Sequence, residues 1–236
     1  MPWNKTMGVT GALLAAAGDL LRPEVRRVVA LSLVLAGAVF AALFVAVQTG
    51  LGIVTAGEAG WIQWLVNTLG GFATVALVWV FFPAVATFFV GLLLDGVVAA
   101  LESAHYPDAP RGRDIPLADA IAAGLRFTLV AVTINLVALP VYAVLLFVPP
   151  LAPLVFLGVN GYLLGREYFE MVALRHHSVE AATDLRHQHR WRILGAGVAV
   201  TLLFTVPLVN LVAPVIGAAA LVHLYHGLPG GRGSTA

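Results

Sequence analysis

The sequence predicts an all-α integral membrane protein, and three observations carry that prediction. Of the 236 residues, 60% are hydrophobic and 11% charged, with a mean hydropathy of +0.94; soluble domains carry about 25% charged residues. The apolar residues fall into four runs without Asp, Glu, Lys or Arg: Val28–Gly57, Ala59–Leu94, Phe127–Gly165 and Ile193–Gly231. Each is far longer than the ~10-residue alternating strands of a membrane barrel. The gaps between runs are too short for a second core. A single membrane domain is expected over 1–231, followed by a small polar tail, 232–236, expected to be disordered.

Residues 1–27 resemble a signal peptide at first sight, with Lys5 ahead of an Ala-rich run. Leu13, Leu14, Ala17, Leu20 and Leu21 recur at helical spacing, however, with Asp19 and Arg22 off that face. An amphipathic helix lying on the membrane surface is the better reading. Val28–Gly57 then gives one tilted span ending near Gln48. Ala59–Leu94 opens with Trp61 and Trp64, which suit an interfacial belt. Pro83 should kink or break it, giving a span to about Phe82 and a redirected helix to about Ser103.

Residues 102–119 form a polar loop with three prolines. In Phe127–Gly165, Pro140, Pro149, Pro150 and Pro153 divide the run, with VPPLAP as its apex. The charged segment 166–192 includes Ser178 followed by Glu180, a helix start. Ile193–Gly231 would make a helix of about 58 Å, nearly twice a ~30 Å hydrocarbon core, so it must turn near Pro207.

All 13 Lys and Arg residues fall in 1–27, 95–126, 166–192 and 232–236, and the 48–61 connection has none. The positive-inside rule places those four segments and both termini in the cytoplasm. Two full spans and two excursions that return to their own side follow. The arms 193–206 and 208–222 are too short to span, so both excursions are expected to be partially penetrating hairpins.

Cysteine is absent, which excludes disulfides and thiolate chemistry. Neither HExxH, GxSxG nor a Walker A loop occurs, so no enzyme activity and no cofactor is expected. No basic, aromatic-interleaved surface suggests nucleic acid.

Four collinear stretches carry a family resemblance: LLRPEVRR (20–27), FFVGLLLDGVVAALESAHYPD (88–108), VNGYLLGREYFE (159–170) and VPLVNLVAPVIGAAALVHLYH (206–226). Together they resemble the bacterial CysZ and etoposide-induced-protein-like membrane family. The resemblance implies a sulfate permease of the inner membrane serving cysteine biosynthesis. It also implies long transmembrane helices, half-penetrating hairpins and a homo-oligomer among membrane lipids. The family's arginine pair before the first span is matched by Arg26 and Arg27. Its FNGLLAE segment aligns with FVGLLLD, retaining Gly91, Leu92 and Leu93 but placing Val90 for Asn and Asp95 for Glu.

Each site has a plainer reading. Arg26 and Arg27 offer planar forks of donors to an oxyanion, or they anchor to lipid headgroups. Gly91 lets backbone amides approach an anion, or it lets helices pack closely. Asp95 and Glu102 should pair with an arginine such as Arg26, Arg113 or Arg126. Asn135, Asn160 and Asn210 should cap or link broken helices, and Arg166, Glu167 and Glu170 should form rim ion pairs. His176, His177, His187 and His189 read as interfacial side chains rather than metal ligands. His223 and His226 suit a helix C-terminus or a headgroup. Sulfate or a similar inorganic anion is therefore the expected ligand; the alternative is a non-transporting membrane scaffold or lipid-interacting protein.

Overall fold

The computed structural model describes residues 7–110, 112, 117–145, 147 and 149–231. The tail at 232–236, Arg113 and the side chains of Leu92 and Arg126 lie outside the described residues. The described residues form helices and no strand: α1 Val9–Asp19, α2 Pro23–Val54, α3 Gly60–His105, α4 Leu117–Leu145, α5 Ala152–Ala173, α6 Val179–Gln188, α7 Arg190–Thr205 and α8 Ala213–His226. Short 3₁₀ turns, Pro149–Leu151 and Val209–Leu211, sit at the two hairpin apices. The chain is an all-α membrane protein.

α2 and the first half of α3 form a long apolar helical pair. Pro23 opens α2, where its missing N–H costs nothing and its fixed φ suits the first turn. Gly57, at φ +98°, supplies the left-handed residue that turns α2 into α3. Pro23–Val54 and Gly60–Phe82 are each long and apolar enough to cross a bilayer. Their outer faces expose Val34, Val45, Leu69, Phe72 and Trp79, the last at 84%. So large an apolar surface belongs against lipid. Trp61 and Trp64 are exposed at the start of α3, as an interfacial belt requires.

The expected break at Pro83 does not occur. α3 is helical without interruption for 46 residues, about 69 Å along its path, so its second half extends as a shaft beyond the apolar stretch Gly60–Phe82. A proline inside a helix costs ~3 kcal/mol. Beyond it, Ala86, Val90, Leu94, Val97, Val98 and Leu101 form one buried stripe at helical spacing. Burying each larger aliphatic side chain contributes about 1.5–3 kcal/mol, so the stripe outweighs the proline. Pro140 likewise lies inside α4 without dividing it. The chain reverses instead at Pro149–Leu151, where tandem prolines remove two successive amides and bias the preceding residue away from helix. α4 and α5 are longer, at 29 and 22 residues, but Arg166, Glu167 and Glu170 interrupt the apolar part of α5, and the described apolar stretch of α4 is Leu129–Val141. α7 and α8, at 16 and 14, are too short to cross ~30 Å of hydrocarbon.

The last hairpin is the centre of the protein rather than its margin. Every residue of α8 is buried. It is enclosed by α1, the shaft of α3, α5 and α7. The apex at Val209–Leu211 packs against α3 and α7, so the turn touches protein. α5 and α7 can meet closely because glycines line the crossing: Gly161 and Gly165 on one helix, Gly197 on the other. A Cβ on Gly197 would collide with the Gly161 carbonyl oxygen and stand 2.7 Å from the Gly165 nitrogen. Ser178 caps α6 by accepting a hydrogen bond from the Ala181 amide at 3.3 Å, as the sequence indicated.

α1 uses two faces: Leu13 and Leu20 rest half-buried on the core, and Asp19, expected to point away from the apolar face, is buried. Ala12, Ala16 and Asp19 are buried against the bundle, whereas Leu14, Ala17 and Leu21 face outward. Small alanines permit the close approach to α8, and Leu14 and Leu21 on the far side form an apolar outer surface.

Candidate functional site

The first candidate locus is the start of α2. Val25 is fully buried and pins this turn to the bundle, which leaves Arg26 and Arg27 exposed. Neither side chain makes a hydrogen bond or ion pair among the described residues. Arg22 differs: its Nε donates to Asp19 Oδ1 at 2.7 Å. Two guanidinium groups beside the N-terminus of a long helix make a local concentration of positive charge. Gly91 lies on an exposed part of the α3 shaft, with nothing within 4 Å of a Cβ built there. Close packing within the chain is therefore not why a glycine stands there. Continuity of α3 also removes the helix N-terminus expected near it. The amides of Gly91, Leu92 and Leu93 sit in a helix interior, bonded to carbonyls one turn back. Leu93 is half-buried and Asp95 exposed.

The second locus is a buried polar network where α1, α3, α5 and α8 converge. The last turns of α3 present Glu102 and His105, three residues apart and so on one face. The end of α8 presents His223 and His226 at the same spacing. Asp19 arrives from the end of α1, and Arg175 and His176 from the turn after α5. Two carboxylate–histidine clusters result. In one, Asp19 Oδ1 lies 2.7 Å from His105 Nε2 and Asp19 Oδ2 lies 2.8 Å from His223 Nε2. In the other, Glu102 Oε1 lies 2.7 Å from His176 Nε2 and 3.4 Å from His226 Nε2, while Arg175 Nε donates to Oε2 at 3.1 Å. Tyr106 joins the clusters. Its hydroxyl lies 2.9 Å from His223 Nδ1 and its ring stacks on His226 at 4.1 Å between centroids.

Burial pushes both carboxyl groups up, but their donors prevail. Hydrogen bonds from His223, His105 and Arg22 hold Asp19 down at about 2. Those from His176 and His226, with the charge of Arg175, hold Glu102 down at about 2. Both are carboxylates at neutral pH, satisfied inside a low-dielectric interior. Within each cluster the potential ligand atoms lie within 4.8 Å of one another, a geometry that can also hold a metal ion. A cavity of about 370 Å³ opens beside Glu102, His176, His226 and Arg175.

These positions revise several expectations. Glu102 pairs with an arginine as expected, but the partner is Arg175, joined by two histidines, and Arg26 is exposed elsewhere. His176 is not an interfacial side chain, and His223 and His226 are buried rather than at headgroups. His187 is exposed, and His189 Nε2 lies 3.3 Å from the Pro229 carbonyl. Arg166 pairs with Glu170 at 2.8 Å as expected, and Arg186 Nε approaches the same carboxylate oxygen at 3.5 Å. Glu167 is half-buried beside them. Asn160 and Asn135 each donate to a carbonyl of their own helix, and half-buried Asn210 lies in the apex 3₁₀ turn. Sequence reasoning missed Asp19, His105, Tyr106 and Arg175. The available signal was a carboxylate or histidine repeated at spacing three inside helical runs, at 102/105 and 223/226.

A search of curated proteins finds no match. The family model described as sulfate transporter CysZ/etoposide-induced protein 2.4 matches residues 12–214, from the middle of α1 to the start of α8. The chain belongs to the sulfate transporter CysZ/etoposide-induced protein 2.4 family.

Proposed function

We propose that this protein passes sulfate or a related oxyanion across the bacterial inner membrane into the cytoplasm, for sulfur assimilation. The observation that carries the reading is the pair Arg26 and Arg27. Arg22, Arg166, Arg175 and Arg186 each hold a carboxylate. Arg26 and Arg27, like exposed Arg190 and Arg192, make no side-chain hydrogen bond or ion pair among the described residues, but they stand paired at the head of the first long apolar helix. A doubly charged oxyanion matches a pair of guanidinium forks in charge and geometry. The missing side chain at Gly91 leaves open surface on the shaft of α3. No nucleotide-binding loop is present in the sequence, so movement down a gradient is the simplest energetics.

Purified protein in proteoliposomes tests this. Sulfate flux above empty vesicles is expected, with at least a tenfold loss in the double variant Arg26→Ala/Arg27→Ala. Equal flux with and without protein, or an unchanged double variant, refutes the reading.

One observation favours a second reading, a lipid-holding protein of the same family. The FVGLLLD segment lies inside an unbroken helix and has no free amides for an anion. The two exposed arginines would then hold anionic headgroups. A deletion strain separates the two: poor growth on limiting sulfate supports transport, and normal growth with altered lipid retention supports the second.

A further inference from the structure

We propose that Glu102, His176 and His226 form a binding site for a divalent transition-metal ion of the zinc type. Two neutral imidazoles and one carboxylate are a donor set that zinc accepts, with water in its fourth position. The two imidazoles aim the same atom, Nε2, at one carboxylate oxygen, Glu102 Oε1, at 2.7 and 3.4 Å. Ligand atoms around one tetrahedral zinc lie roughly 3.3 Å apart when bonds are ~2.0–2.1 Å, so small shifts seat an ion between them; the Nε2 protons that now face the carboxylate move to Nδ1 or leave to solvent as it binds.

The ligands are held before any ion arrives. Tyr106 stacks on His226 at 4.1 Å and 18°, and Tyr225 stacks on His176 at 5.4 Å and 21°. Each imidazole is thereby fixed in plane and direction. Arg175 holds Glu102 Oε2 and leaves Oε1 to face the histidines, the outer-shell support that metal carboxylates commonly have. The Tyr225 hydroxyl, buried in the same cluster, has no hydrogen-bond partner among the described residues. The ~370 Å³ cavity bordered by Glu102, His176 and His226 gives the ion a way in and the fourth ligand a place.

The neighbouring Asp19 cluster has outer-shell partners of its own, Arg22 and the Tyr106 hydroxyl, but its two histidines approach different carboxylate oxygens. Its carboxylate oxygen Oδ1 already accepts from Arg22 at 2.7 Å, and neither Asp19, His105 nor His223 lines that cavity. It serves as a hydrogen-bonded counterpart, which makes the proposal specific to one cluster.

The test uses the full chain without a polyhistidine tag, in detergent, stripped with chelator and titrated with zinc and with cobalt. Expected results are about one zinc per chain and a visible cobalt absorption of tetrahedral type. Arg175→Gln should weaken binding roughly 10–100-fold, as loss of outer-shell support does. Glu102→Gln or His226→Ala should weaken it further, while His105→Ala retains it. Should His226→Ala fail to fold by circular dichroism and gel filtration, His176→Ala, at the cavity wall, carries the same expectation. Zinc uptake near zero in the wild-type chain overturns the proposal without recourse to any variant. Uptake that survives the folded Glu102 or His176 variants, or that disappears in a folded His105→Ala, also overturns it.

Discussion

Asp19 shows how much a single side chain can organise. Its carboxylate receives His105, His223 and Arg22 from three separate parts of the chain. Removing one member of a buried charge cluster leaves the others desolvated and uncompensated, at about 3–5 kcal/mol. Asp19→Asn should therefore lower stability by about that much, seen as a large drop in melting temperature in detergent. Arg26→Ala touches an exposed side chain and should change stability by no more than about 0.5 kcal/mol. A matching drop for Arg26→Ala would mean that the pair is structural, and would weaken its assignment to an anion. Asp19 was visible in the sequence only as a polar residue off an apolar face. Its partners lie as many as 204 residues away, and no local pattern reports so distant a contact.

At the scale of elements, the two kinds of helix-perturbing residue behaved differently from their local propensities. Pro83 and Pro140 read as breaks, yet both lie inside helices. Propensity is local, and the buried stripe beyond Pro83 is a tertiary fact that overrides it. The glycines divide by surroundings rather than by sequence. Gly197→Ala would drive a methyl group into the α5 backbone, which cannot rotate aside. Overpacking of this kind costs about 1–3 kcal/mol, so reduced stability of the variant is expected. Gly91→Ala meets open space and should stabilise α3 by roughly 0.5–1 kcal/mol. If it lowers anion flux at undiminished stability, the open surface at Gly91 is functional. The stretch GYLLG was in view from the start, but its use in close packing emerges only when Gly197 is set opposite.

For the whole molecule, composition and run length made the class legible, and charge placement the two spans. The interior of the bundle was not legible. A run such as Ile193–Gly231 is apolar whether it meets lipid or protein, so hydropathy alone cannot separate a membrane hairpin from a central helix. The orientation can be tested directly, because the native chain has no cysteine to remove. A cysteine at Glu58, in the α2–α3 turn, should react with an impermeant maleimide in intact cells. One at Ser178, the exposed cap of α6, should react only after the membrane is opened. The reverse pattern would invert the topology and place Arg26 and Arg27 on the outer face.

The enclosure of α8 also sets an order in time. α1, α3, α5 and α7 all precede it in chain order and are synthesised first. Until residues 213–226 leave the ribosome, Asp19 and Glu102 lack their α8 histidines, and the faces of those four helices that pack on α8 have no partner. Chains arrested before Val212 should keep the membrane pair yet remain open to protease in the bundle. Extension past Gly227 should close it in one step, with α8 as the keystone; gradual gain of protection before that point would refute this order.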